Sequence, residues 1–248
     1  MEYFPEDVLR DYGDEPTNLM LDLWHQECLE YIKNDIEVIM ADRRHNPQLR
    51  DIPGTINSAS PYVFDNKMHL ALWLESVYPL EPVLVTHELG HWILVLRGYK
   101  MLVDPGQTFG DIVVNLNSLA HHPPLFALQR SLGHEPQDMI DHETKKDIDY
   151  YNKQKGRGSQ RWISDALYIT DHLTNCSENY RLRLNNVLKK RLPNTNRFVR
   201  IIMDILNASD LHSPEQNLKF CYKLTKELKL GKWTEFDQLS DVAAHLKK

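Results

Sequence analysis

The sequence predicts an α+β protein: a small sheet packed on two site-bearing helices, with a mainly helical C-terminal region. Three observations predict it. Residues 62–74 read as strand, turn and strand. The segment from Pro82 to about Arg97 is apolar nearly all round, as a buried helix is. From about residue 137 the pattern turns charged and helical throughout. This change of character sets an expected division into 1–136 and 137–248, the second part packed on the same core or standing apart. A chain of 248 residues can bury a core of that size.

The totals narrow the setting. Lysine and arginine number 29 against 35 acidic residues, a net charge of −6, which disfavours nucleic acid and anionic membranes as partners. Cys28, Cys176 and Cys221 are far apart and form no C-x-x-C pair. That argues against a disulfide framework and a cysteine zinc site, and for a reducing compartment. The first residues are acidic, and no apolar run approaches a membrane span. The expectation is a soluble cytoplasmic protein without membrane contact.

The elements follow in order. Residues 1–16 form an irregular lead-in broken by Pro5, Gly13 and Pro16. Thr17 or Asn18 caps a helix to about His45, because Met20, Trp24, Cys28, Tyr31, Ile32, Ile36, Ile39 and Met40 recur at helical spacing. On it His25, with Glu27 and Glu30, reads as a solvated face. Asn46-Pro47 ends the helix. Residues 52–61 are loop-like, and Tyr62–Phe64, a turn at 65–67 and Met68–Leu74 make a hairpin. Pro82 opens the apolar helix and Gly98 stops it. After a loop at 104–110, a second helix runs from Asp111 to about His122, with Ile112, Leu116, Leu119 and Ala120 on one face. Pro123-Pro124 breaks it, and a short helix spans Leu125–Leu132. Further helices fall near 161–173, 175–191, 196–207, 214–229 and 233–246, and the basic stretch Lys153–Arg161 reads as a solvated loop.

The apolar helix carries His87-Glu88-Leu89-Gly90-His91. Positions i and i+4 share a helix face, so both imidazoles can meet one ion, and Zn²⁺ suits nitrogen donors of this kind. Glu88, beside the first ligand, can act as general base toward a water held there. Three ionisable groups on a buried helix need a partner, and a metal supplies one.

A catalytic zinc usually takes a third protein ligand. Gly and His at fixed offsets after the second His would make the metzincin form, but those offsets hold Leu94 and Arg97. No Glu lies between Trp92 and His134, so the candidates are Asp104, Asp111, His121, His122, His134 and Glu135. His122 is favoured. It shares a helix face with Asp111, Asn115 and Ser118, away from Ile112 and Leu116. His121 is then its neighbour facing substrate or supporting the ligands, Asp111 the next choice, and Glu178 a more distant one. Tyr168, His172 and His69 are the residue types available to stabilise charge on a substrate oxygen, and spacing places none of them.

Val83-Leu84-Val85-Thr86-His87-Glu88-Leu89-Gly90-His91-Trp92-Ile93-Leu94, after a strand-rich stretch, resembles the ImmA/IrrE-type metallopeptidase domain. The resemblance covers roughly residues 55–125 and is strong over 83–94. It implies a zincin-like core, with His87 and His91 as ligands and Glu88 as catalytic base. It also implies a regulatory setting, since several members cut or inactivate a transcriptional repressor. The family more often has an acidic third ligand, and this chain departs from that.

The expected function is therefore zinc-dependent hydrolysis of a peptide bond in a protein or peptide. An edge strand of the hairpin would flank the cleft and hold extended substrate by main-chain hydrogen bonds. A cytoplasmic protease needs a closed state, and the expectation is that the 150–161 loop or the C-terminal helices could block its cleft. The main alternative is a non-cleaving, zinc-bearing regulatory or protein-binding module, against which an intact Glu88 speaks. A small-amide hydrolase of the deformylase kind lacks its upstream cysteine and glycine motifs here, and a degenerate fold kept for assembly is a third rival.

Overall fold

A computed structural model describes residues 2–3, 15–32, 37–42, 58–64, 67–74, 82–103, 110–153, 159–231 and 233–236. In chain order the elements are β1 (Glu2–Tyr3), α1 (Glu15–Ile32), β2 (Glu37–Asp42), β3 (Ser58–Phe64), β4 (Lys67–Leu74) and α2 (Pro82–Leu96). There follow β5 (Met101–Val103), α3 (Gly110–Ser131), α4 (Gln137–Lys153), α5 (Ser159–Asn175), α6 (Glu178–Arg191), α7 (Pro193–Asn207), α8 (Pro214–Glu227) and β6 (Thr234–Phe236).

This corrects the expected fold class. The protein is mainly helical rather than an α+β zincin-like core built on a substantial sheet. Strand pairing is a minor part of it. Short strands pair in the order β1-β2-β4-β3, and β5 pairs with β6 over three residues each. The expected hairpin is present: β3 and β4 run antiparallel, with Phe64 opposite Lys67. Helix takes over because the amphipathic segments after residue 137 form one helix after another, and these fill most of the second half of the chain.

Contacts divide the chain into two compact units, Met1–Gly98 with Leu125–Glu135 and Asp237–Lys248, and Tyr99–Pro124 with Pro136–Phe236. In the first, Met20 and Trp24 of α1 and Leu89, Trp92 and Ile93 of α2 are fully buried. Arg97 closes this packing at the surface with an ion pair to Glu27, 2.6 Å. In the second, α3 contributes Leu116 and Leu119, α5 Leu167 and Ile169, α6 Leu184 and Leu188, α7 Ile202, and α8 Phe220 and Leu224 to one core. The strand β5 is fastened to α3 by Asn117, whose side-chain oxygen accepts from the Leu102 amide and whose Nδ2 donates to the Leu102 carbonyl, both at 2.9 Å.

Several element boundaries differ from the sequence reading: Glu2–Tyr3 is a strand within the expected lead-in, β3 starts at Ser58 within the expected loop, and three further differences are larger. The first helix stops at Ile32, and Glu37–Asp42 is a strand parallel to β4, from Glu37 opposite His69 to Asp42 opposite Leu74. Val38-Ile39-Met40 is a short continuous apolar run, which suits a strand as well as a helix, and pairing decides. Near the end of the described chain, Thr234–Phe236 is strand against β5 where a helix from 233 is expected.

The third difference is the most consequential. The helix expected to break at Pro123-Pro124 runs unbroken as α3 from Gly110 to Ser131, both prolines inside it. An internal proline ordinarily costs about 3 kcal/mol or more, partly because the carbonyl four residues back loses its donor. For Pro124 that carbonyl is Ala120, and Asn217 of α8 donates to it through Nδ2 at 2.6 Å. A tertiary hydrogen bond thus replaces the missing helical one, and the buried acceptor avoids a penalty of about 1–3 kcal/mol. The helix ends at Gly133, whose φ of +90° is the left-handed turn that glycine permits.

Among the described residues no helix is long and apolar enough to cross a membrane. Truncating the fully buried Leu188 to alanine should lower unfolding free energy in urea by about 2–5 kcal/mol. The same change at Leu182, 57% exposed on the same helix, should move it by under about 0.5 kcal/mol.

Candidate metal centre

The site is built on α2 and α3. Pro82 starts α2 where its missing N–H has no helical partner to lose, and the helix buries Val85 through Gly90 and Trp92 through Leu94. Gly98, at φ +89°, stops the chain just beyond. His87 and His91, one turn apart, bring their ring centroids to 4.9 Å in an edge-to-face arrangement. Glu88, between them in sequence, is 6% exposed.

Gly90 sets how near the later turns of α3 can come. A Cβ there would lie 3.3 Å from Cγ of Leu125, tighter than most such contacts, so that side chain would have to give by a few tenths of an ångström. Below it, Gln129 Nε2 donates to the Val83 carbonyl at 3.0 Å and to Thr86 Oγ1 at 3.2 Å. The Phe126 ring stands 5.5 Å from that of His87. Leu125, Phe126 and Gln129 are therefore the face of α3 that meets α2. His122 precedes Phe126 by one turn of the same helix, on the same side.

Ligand atoms of His87, His91 and His122 all lie within 4.8 Å of one another, and among the described residues this is the one such cluster. Three imidazole nitrogens about 2.0–2.1 Å from a tetrahedral zinc would stand about 3.4 Å apart. The three donors lie near enough to one another to belong to one ion.

His122 has a further feature that fits a ligand. Its Nδ1 lies 2.5 Å from Oδ2 of Asp171 on α5, and Asp171 is 5% exposed. The other carboxylate oxygen accepts from Asn175 Nδ2 at 2.9 Å. A carboxylate that accepts from one ring nitrogen fixes the tautomer and leaves Nε2 to bind a metal. The donor set and this support together fit Zn²⁺.

The adjacent His121 has the opposite environment. It is buried, donates from Nε2 to the Lys100 carbonyl at 3.3 Å, and meets the Tyr99 ring edge-on at 6.0 Å. Burial, opposed by that hydrogen bond and helped by the neighbouring His122, lowers its pKa to about 4. It braces the chain after α2 against α3.

The remaining candidates lie elsewhere. Asp111 is exposed at the start of α3, eleven residues or about 16 Å of helix before His122. Glu178 is exposed and pairs with Arg181 at 3.0 Å, and Glu135 pairs with Arg130 at 3.3 Å. His134 is buried after the end of α3. Tyr168 and His172 of α5 form their own group with α4: His172 Nδ1 is 3.0 Å from Asp147, and the Tyr168 hydroxyl donates to Asp147 at 3.4 Å. Burial disfavours charge on His172, yet the Asp147 carboxylate raises its pKa above the ordinary value. Burial and the same carboxylate raise that of Tyr168. Asp104 and the side chains of His69 and Glu30 lie outside the described residues. His25 is half-buried on α1 and belongs to no ligand cluster among the described residues.

Sequence reading missed Asp171 and Asn217. Asp171 sits 49 residues from His122, and Asn217 sits 97 from Ala120, so no local spacing could find either. Comparison of the chain with protein-family models, curated proteins and solved structures finds no match.

The depressed pKa of His121 gives a pH test. Between pH 6.5 and about 4 the unfolded chain binds a proton that native His121 refuses, so stability is full above 6.5 and falls as pH drops through this window. In chelator-treated protein, His121→Gln should lose less of its urea midpoint between pH 6.5 and about 4 than the wild type does.

Proposed function

We propose that the protein is a zinc-dependent peptidase in which His87, His91 and His122 hold the ion and Glu88 is the general base. One observation carries the reading: ligand atoms of three histidines from two helices lie within 4.8 Å of one another, and the residue that follows His87 is a buried glutamate. A site that only stored zinc would have no use for that carboxylate. The ImmA/IrrE-type resemblance of residues 83–94 supports the same reading and suggests a regulatory protein as substrate.

Bound Zn²⁺ supplies a Lewis acid that acidifies water and polarises a carbonyl. The chain's own groups do the rest. The Glu88 carboxylate takes a proton from the attacking water as the carbon–oxygen bond forms. It returns the proton to the leaving nitrogen as the carbon–nitrogen bond breaks. Asp171 holds the proton on Nδ1 of His122, so that ring offers Nε2 in a fixed direction. Packing of α2 around Trp92 and Ile93 keeps the ring-bearing helix rigid, which preserves the convergence between turnovers. The outermost strand β3 offers main-chain groups to an extended substrate. A reducing cytoplasmic setting belongs to this reading; Cys176 and Cys221 are buried free thiols.

Glu88→Gln should retain one zinc per chain by atomic absorption and lower peptide hydrolysis by about 10²–10⁴-fold. Unchanged turnover would remove Glu88 from the mechanism. His122→Ala should lower zinc content under conditions where His121→Ala does not. Asp171→Asn should weaken zinc binding by about 10–100-fold in chelator competition, and wild-type affinity there would deny the carboxylate its role.

A further inference from the structure

We propose that Asn217 is a positioning residue that keeps His122 in register for the metal, an inference that rests on the zinc reading above. His122 is followed at once by two prolines. Pro124 has no N–H to give the Ala120 carbonyl, and Ala120 belongs to the helical turn that carries His121 and His122. That carbonyl is buried with its residue, which is 0% exposed. Water does not reach it, as it would on the convex side of an ordinary proline kink.

Asn217 supplies the donor. Its side chain is 1% exposed, and Nδ2 lies 2.6 Å from the Ala120 oxygen and 3.2 Å from that of Leu211. The Leu211 contact, from the loop before α8, is made by the same nitrogen, so Nδ2 bridges the two carbonyls. Without it, the turn must leave a buried acceptor unsatisfied or tilt to find another partner.

The tilt is what reaches the site. A proline kink is typically about 20° or more. An imidazole nitrogen about 8 Å from the helix axis would then move by roughly 3 Å, while metal–ligand distances tolerate about 0.2 Å. Leu125, Phe126 and Gln129 hold the later turns of α3 against α2, so the displacement would fall on His122 rather than spread along the helix.

The test exploits the proline itself. Asn217→Leu keeps the shape and removes the donor. Pro124→Ala, added to it, restores a backbone N–H for the Ala120 carbonyl. Zinc affinity is measured by competition with a chromophoric chelator, and Co²⁺ absorption reports the ligand set. N217L should bind zinc about 10–100-fold more weakly, with a Co²⁺ spectrum like that of His122→Ala. The double variant should return to within about threefold of the wild type in affinity and to its spectrum. Wild-type zinc affinity in N217L overturns the proposal, and so does a loss that Pro124→Ala fails to restore. If N217L alone does not fold, the double variant should recover both folding and zinc, and its failure to do so overturns the proposal equally. A wild type that binds no zinc would sink the metal reading and this inference together, whereas the other adverse results leave the metal reading standing.

Discussion

The buried carbonyl of Ala120, left without a helical donor by Pro124, depends on one side chain from another helix. Two successive prolines should end the helix that contains it. Asn217 donates to the acceptor that Pro124 leaves open, and α3 is one helix through both prolines. Its early turns are built into the core with Leu116 and Leu119, and its later turns lie against α2 through Leu125 and Phe126. His122 stands just before the two prolines, in the turn that carries Ala120. Had the helix broken, its direction would have been set by a flexible joint instead.

The contrast between His121 and His122 shows how finely that helix sorts its side chains. Adjacent residues on one helix point about 100° apart. One ring is buried, donates a hydrogen bond to a backbone carbonyl and stays neutral well into the acid range. The other leans on a buried carboxylate. Identical chemistry is divided by environment alone into a strut and a candidate ligand.

Much of the site is legible in the sequence because it is local. The four-residue spacing of His87 and His91, the apolar flanks and Pro82 all act within one helix, and periodicity reports such things directly. His122 can be preferred over His121 because helical geometry assigns faces, and Ile112 and Leu116 mark the buried one. The supporting groups are not legible. Asp171 and Asn217 arrive from other helices, and nothing near them in sequence points to their partners. The fold class misleads for a related reason. The strand-like pattern of 62–74 points to a sheet as the organising layer, while the bulk of the described chain goes to helices whose amphipathic faces close a core together. At 36–40 apolar spacing fits two periods, and only the partner strand β4 decides.

The distance between Ala120 and Asn217 also orders events in time. The ribosome makes the acceptor 97 residues before the amide that will cover it. At typical elongation rates of about 5–20 residues per second, roughly 5–20 s separate the two. Throughout that interval the turn bearing His122 lacks its clamp, although His87, Glu88 and His91 have already emerged. The histidine pair of α2 thus leaves the ribosome well before the side chain that caps the Ala120 carbonyl, and α3 gains that hydrogen bond only once α8 has been synthesised.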